Sequence, residues 1–281
     1  MIAVTGATGT VGGQVARLLS GRHPLRLLGR SPERLRALGL AAEAVGADFG
    51  DRRSLERALA GAHALFAVTV NPLEPGHDEN LLAAARSAGV RHVVKLSALA
   101  VTDHGADDLI TRWQRRNEDL LRGSGLAWTI LRPRAFMSNT LAWAATIRSG
   151  GVVAAPQARS RNASVDPRDV AEAAVLALTE PGHEGRHYPL TGPESISAVE
   201  QCEQLAEVLG RPLSCVGTSL AQAYAAWARR YPESIAQALL DSAKRQGDGA
   251  KQQVDHTLGA LLGRPPGTYR RWARDHAHHF K

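Results

Sequence analysis

Met1-Ile2-Ala3-Val4-Thr5-Gly6-Ala7-Thr8-Gly9-Thr10-Val11-Gly12 opens the chain with a short apolar run that passes directly into a loop with glycine at every third position. The run predicts a buried strand, and residues 11–20 carry the spacing of an amphipathic helix. A bare glycine triplet is often only a turn. Between a strand and a helix it is the arrangement in which backbone closes on a phosphate. Gly6 allows the tight turn, Gly9 leaves room for a pyrophosphate against the main chain, and Gly12 lets the helix pack on the strand. The amides of Thr8 to Val11 then face the phosphates at the positive end of the helix. Gly6, Ala7, Thr8, Gly9, Thr10, Val11 and Gly12 are therefore read as dinucleotide-binding residues.

The same pattern repeats downstream. Strand-like runs at 25–28, 43–45, 64–68, 92–96 and 128–131 alternate with helical stretches at 32–38, 53–59, 79–88 and 107–123. Strands joined by crossover helices imply an α/β fold, a Rossmann-type doubly wound parallel sheet. After Arg132-Pro133 the alternation loosens, with one more helix at 169–178 and one more strand at 185–190. From about Ser195 onward the chain reads as mainly helical, with Gln246-Gly247-Asp248-Gly249 as a flexible stretch. Residues 1–194 are thus expected to form an NAD(P)-binding Rossmann domain and 195–281 a small, mainly helical C-terminal substrate lobe, with 135–165 contributing to the substrate cleft.

The end of the second strand speaks to cofactor choice. An NAD site places a carboxylate there for the ribose 2′-hydroxyl, but this chain reads Gly29-Arg30-Ser31. A guanidinium suits a 2′-phosphate through paired, charge-assisted hydrogen bonds, and Ser31 adds a donor, so NADPH is the expected cofactor. The alternative for Arg30 is a solvated side chain in an arginine-rich protein. After the third strand, Asp48 is placed to accept the adenine amino group, with the Phe49 ring bordering the base.

The formal charge is +7, but arginines are scattered and many alternate with acids, which argues against nucleic acid as a partner. No stretch has the length of a membrane span, and no signal peptide opens the chain, so a cytoplasmic location is expected with no membrane partner. The two cysteines, Cys202 and Cys215, read as packing residues. Asp275-His276-Ala277-His278-His279 has metal-like spacings but reads as a frayed terminal helix, so no metal is assigned. Of Trp143, Trp227 and Trp272, one at most is expected in a substrate pocket.

The chain resembles the NmrA-like branch of the atypical short-chain dehydrogenase/reductase family, which includes NAD(P)H:quinone oxidoreductase-like proteins. The resemblance rests on the stretch from Thr5 to Gly12, on Arg30, Val94-Lys95-Leu96-Ser97, the run from Ser124 to Pro133, Asp166-Pro167-Arg168-Asp169-Val170-Ala171, Leu190-Thr191-Gly192-Pro193 and Gly263-Arg264-Pro265-Pro266. It implies a substrate cleft between the lobes and further cofactor contacts from Thr69, Val70, Asn71, Ser97, Pro133, Arg134, Ala135 and Phe136. Phe136 and Met137 follow the sixth strand directly, a position that suits contact with substrate or nicotinamide. One departure concerns the chemistry. The wider family uses a Tyr-x-x-x-Lys pair on the helix after the fifth strand; here Gln114 falls near the Tyr position and Glu118 near the Lys position. Tyr188, Tyr224, Tyr231 and Tyr269 all lie elsewhere. Ser97 and Gln114 remain as candidate catalytic donors, each with a structural alternative, Ser97 as a strand-end cap and Gln114 as a solvated helix residue. The expected activity is hydride transfer from NADPH to a quinone or other conjugated or aromatic carbonyl metabolite. The alternatives are a non-catalytic NADP(H) redox sensor and a cofactor-retaining isomerase or cyclase. The partner is a small molecule, and the oligomeric state is open between monomer and homodimer.

Overall fold

The computed structural model describes residues 1–281. Its strands are β1 (Ile2–Thr5), β2 (Leu25–Gly29), β3 (Glu43–Gly46), β4 (Ala64–Ala67), β5 (His92–Leu96), β6 (Ala127–Pro133), β7 (Val152–Pro156), β8 (Arg186–Leu190) and β9 (Ser214–Thr218). Seven of them make one sheet in the order β3-β2-β1-β4-β5-β6-β8. All four residues of β1 and of β4 are buried. That follows from helices covering both faces of a parallel sheet, and it is why both strands read as unbroken apolar runs. Ile2 sits opposite Leu25 on one side and Ala64 on the other, both in parallel register. The chain order reverses between β1 and β4, and outside the carboxyl ends of strands at such a reversal an open α/β sheet has its ligand crevice.

The helices are α1 (Thr10–Leu19), α2 (Pro32–Arg36), α3 (Arg52–Leu59), α4 (Gly76–Ser87), α5 (Leu109–Arg122), α6 (Ala144–Ser149), α7 (Pro167–Thr179), α8 (Ala198–Leu209), α9 (Leu220–Ala228), α10 (Glu233–Gly247), α11 (Thr257–Leu262) and α12 (Tyr269–Asp275). Local chemistry starts several of them. Asp51 caps α3 through the Arg53 amide, and Ser197 with Glu200, like Ser219 with Gln222, forms a reciprocal capping box.

The chain divides into two compact units that interleave in sequence. The first comprises 1–98, 113–132 and 167–188, and holds most of the large sheet. Leu28, Leu65, Val93 and Ile130 of its strands pack against Leu55, Leu59, Leu81 and Leu121 of α3, α4 and α5. The second comprises 99–112, 133–166 and 189–281. Helices dominate it, but β7 and β9 pair in parallel with Val152 opposite Ser214. This small sheet has no clear sequence signal, because Val152 and Val216 point outward and Gly217 interrupts β9.

Two stretches differ from expectation. Gln246 and Gly247 form the last turn of α10 rather than a flexible linker. The segment around His276 is not frayed, because Trp272 and Phe280 on either side of it are buried in the core of the second unit with Met137, Ile147 and Leu205. Trp272 stacks on His276 at 4.5 Å and on Tyr269 at 5.6 Å and is a core residue. Trp272→Ala is expected to lower stability by about 3–5 kcal/mol, read as a fall in the urea midpoint.

Candidate functional site

A groove of about 630 Å³ lies in the first unit and is lined by Gly6, Ala7, Thr8, Arg30, Ser31, Asp48, Phe49, Thr69, Val70 and Asn71 together with Leu28, Arg34 and His77. Its floor is backbone. Gly6 turns with φ of +67°, and a Cβ at Gly12 would fall 2.3 Å from the Gly6 carbonyl oxygen, so α1 can lie this close to the turn only without a side chain there. Gly9 precedes α1 and gives its first amides no side-chain cap. Uncapped amides at the positive end of a helix fit a pyrophosphate. Thr5 fixes the neighbouring strand: its hydroxyl donates to the carbonyls of Phe66 and Val68, and the Val68 amide donates back to it at 2.7 Å.

At the end of β2, Arg30 and Arg34 both line the groove and both are exposed. Ser31 lines the groove as well, and its side chain also makes local hydrogen bonds. Its oxygen accepts from the Arg34 amide as the cap of α2, and its hydroxyl donates to Glu33 at 2.9 Å. After β3, Asp48 accepts the Gly50 amide at 2.8 Å, and Asn80 donates to the Phe49 carbonyl at 3.0 Å, which holds this loop in shape. The Thr69 hydroxyl donates to Asp78 at 2.7 Å and accepts from Lys95 Nζ at 3.0 Å. Lys95 and Asp78 are almost wholly buried and pair at 3.0 Å. This ion pair anchors Thr69 from below, while Val70 next to it is 81% exposed.

A second buried network sits on α5. Glu118 accepts two hydrogen bonds from the Arg132 guanidinium, at 3.0 and 2.6 Å, one from Arg122 at 2.7 Å and one from the Ser97 hydroxyl at 2.6 Å. Burial alone would raise the Glu118 carboxyl, but the Arg132 fork and the Ser97 hydroxyl outweigh it and hold the carboxyl below its ordinary value. On the same helix Trp113 Nε1, Gln114 Oε1 and both amide atoms of Asn117 are buried without partners.

The expected residues therefore divide. Ten of them line the groove. Gly9 caps α1, and Thr10, Val11 and Gly12 form its first turn. Ser97 is buried with its proton directed to Glu118. Gln114 is buried rather than solvated. Pro133 ends β6 and is buried, and Arg134, Ala135 and Phe136 belong to the second unit, where Val165 pairs with this segment. Met137, expected at a substrate, is 1% exposed within the second core. The sequence reading missed Arg34, Lys95, Asp78 and Arg132. For Lys95 a signal existed, a lysine inside the apolar strand His92-Val93-Val94-Lys95-Leu96.

The fold and the groove define a nicotinamide-dinucleotide-binding oxidoreductase scaffold. A model of the NAD(P)H-binding family matches residues 6–181, and the chain belongs to that family. It is 52% identical over 280 residues to a (4-alkanoyl-5-oxo-2,5-dihydrofuran-3-yl)methyl phosphate reductase of Streptomyces griseus, with 100% of this chain and 99% of the relative covered. It is 35% identical to an NAD(P)H azoreductase of Xenophilus azovorans, with 99% and 98% covered. The NADPH-dependent quinone oxidoreductase of Escherichia coli in complex with NADPH has the same fold, with a TM-score of 0.86 at 28% identity and 100% of both chains covered.

Glu118 supplies a stability prediction. Because its folded value is depressed, the stability it lends is complete above the unfolded carboxylate value of about 4.3 and is lost as pH falls through the folded value. Glu118→Gln leaves Arg132 buried without its anion and is expected to cost about 3–5 kcal/mol at neutral pH. Urea unfolding should show the gap to the parent protein closing in acid.

Proposed function

We propose that the protein is an NADPH-dependent reductase of conjugated carbonyl compounds, with an acylated unsaturated lactone as the leading substrate class and quinones as secondary acceptors. The observation that carries this reading is the 52% identity, over the whole chain, with a reductase of such a lactone. The relative's named substrate has a ring double bond conjugated to both the ring carbonyl and the alkanoyl carbonyl. Azo compounds and quinones, acted on by the other relatives, are also acceptors that spread an arriving negative charge over several atoms.

The residues of the chain fit that demand. Reduced nicotinamide, when bound, supplies the hydride. Arg30 and Arg34, which line the groove, would hold the 2′-phosphate, the backbone from Gly6 to Gly12 would hold the pyrophosphate, and Asp48 and Phe49 would border the adenine. The Tyr-x-x-x-Lys pair is absent, with Gln114 and Glu118 at the corresponding places on α5. Glu118 is an anion committed to Arg132, so it cannot do what a lysine does in lowering a phenol pKa. The Ser97 hydroxyl donates its hydrogen bond to the same carboxylate. Neither is a proton donor of any strength, and Gln114 can only donate a neutral hydrogen bond. The acceptor must therefore stabilise its own developing charge, with water completing protonation.

Two measurements test this. Titration should give tighter binding of NADPH than of NADH, and Arg30→Ala and Arg34→Ala should each narrow the gap by about 1–3 kcal/mol; equal affinities in the parent protein refute the assignment. Steady-state assays should give turnover of a 3-acyl unsaturated lactone at least about a hundredfold faster than of an unactivated ketone, or about 2.7 kcal/mol of barrier. Comparable rates sink the proposal, and tight NADPH binding with no turnover of any acceptor favours the sensor.

A further inference from the structure

The second unit holds a cluster of cations. Arg245 on α10 donates to Asp108 at 2.7 Å and lies 3.3 Å from Asp103. Asp108 is itself fixed by the Thr111 amide and hydroxyl, at 3.0 and 2.7 Å. These two carboxylates are committed to holding Arg245. Two further cations face the same cluster without a carboxylate of their own. Lys251 Nζ donates to the neutral hydroxyl of Ser242 at 2.8 Å. Arg134 has a buried Nε with no hydrogen-bond partner. Burial, then the charges of Arg245 and Arg134, push the Lys251 ammonium down to about 8, against a smaller opposing pull from Asp108. Desolvation likewise lowers the Arg134 guanidinium, with Asp103 opposing.

Bringing cations together out of water is costly unless something negative completes the arrangement. Backbone hydrogen bonds tie the segments that carry them. The Arg134 amide donates to the Leu190 carbonyl at 2.8 Å, and the Lys251 carbonyl accepts the Ala163 amide at 3.0 Å. Arg134 is the first residue after β6, and Asp103 and Asp108 lie on the segment that follows β5. Both segments leave the carboxyl ends of their strands, where open α/β sheets take their ligands. Arg134 and Lys251 keep some solvent exposure, so an anion can reach them.

We propose that Arg134 and Lys251, braced by Arg245, form a subsite for a phosphate monoester carried by the substrate. The inference deepens the reading of the protein as a conjugated-carbonyl reductase and rests on it for the identity of the rest of the substrate. Arg134 offers a planar fork and Lys251 a point charge, and a phosphate dianion can accept from both while neutralising the excess.

The test compares a 3-acyl unsaturated lactone bearing a methyl phosphate with its dephosphorylated alcohol, using NADPH and the full chain. The parent protein should favour the phosphate in kcat/KM by at least about a hundredfold, and Lys251→Met should collapse that ratio by about tenfold or more, mainly through KM, with Lys251→Arg restoring part of it. Arg134→Met should do the same, and far-UV circular dichroism with the urea unfolding midpoint, measured in parallel, reports that each variant is folded. No phosphate preference in the parent, or an unchanged ratio in Lys251→Met, overturns the subsite. If neither compound is reduced, the reading of the reaction fails on its own. Calorimetry of the phosphorylated compound on the NADP⁺-loaded protein then decides the subsite: a Kd raised about tenfold by Lys251→Met supports it, and an unchanged Kd overturns it.

Discussion

Helix α1 and the turn after β1 meet backbone to backbone, with no space for a single methyl group at Gly12. That contact sets how the helix leaves the sheet and so where its uncapped amides point. Parallel register carries the placement outward. Thr5 lies opposite Leu28 and Gly29 opposite Gly46, so Gly6 and Arg30, just beyond their strands, and Asp48, two residues beyond β3, come out along one edge. Side chains then fix the edge where register alone would leave it loose. Thr5 ties β1 to the end of β4, Ser31 and Asp51 hold the two helix starts, and the buried Lys95–Asp78 pair pins Thr69. Only the last of these carries a large desolvation cost, which its hydrogen bonds to Thr69 help to offset.

The sheet and the groove were legible in the sequence because both depend on short-range pattern. Six strands of the main sheet announce themselves as apolar runs between turn residues, and the glycine loop needs only its neighbours to be read. What escaped depends on contacts distant in sequence. The pairing of β7 with β9 joins segments about sixty residues apart, and although β7 buries Val153 and Ala155, β9 has no buried face to mark it. Met137 reads as a residue beside a ligand because it follows β6, yet it is buried in the same apolar core as Leu205, Tyr269 and Trp272. Ser31 reads as a phosphate donor, but local geometry makes it a helix cap first. Arg34 is the complementary lesson: one turn along α2 it reaches the same groove as Arg30, and nothing in its sequence surroundings separates it from a solvated surface arginine. The two interleaved units were hidden for a similar reason, since 99–112 and 133–166 join the later part of the chain through contacts that no local pattern records.

The position of Glu118 between Arg132 and Arg122 bears on how this scaffold can change over generations. A lysine at 118 would be a third cation against two arginines, out of water and with no anion left in the network, and it would also release the Ser97 hydroxyl. Such a substitution is unfavourable alone, and so is the loss of either arginine while the glutamate stays. The steps are non-additive because the residues share one network. Point mutation offers no gradual path from this helix to one with a phenol and an ammonium group; several replacements would have to arrive together. Divergence is far less constrained at Lys251 and Arg134, where one cation can be exchanged without stranding a buried partner charge. Lineages built on this chain should accordingly diversify in what they accept long before they alter how protons are handled.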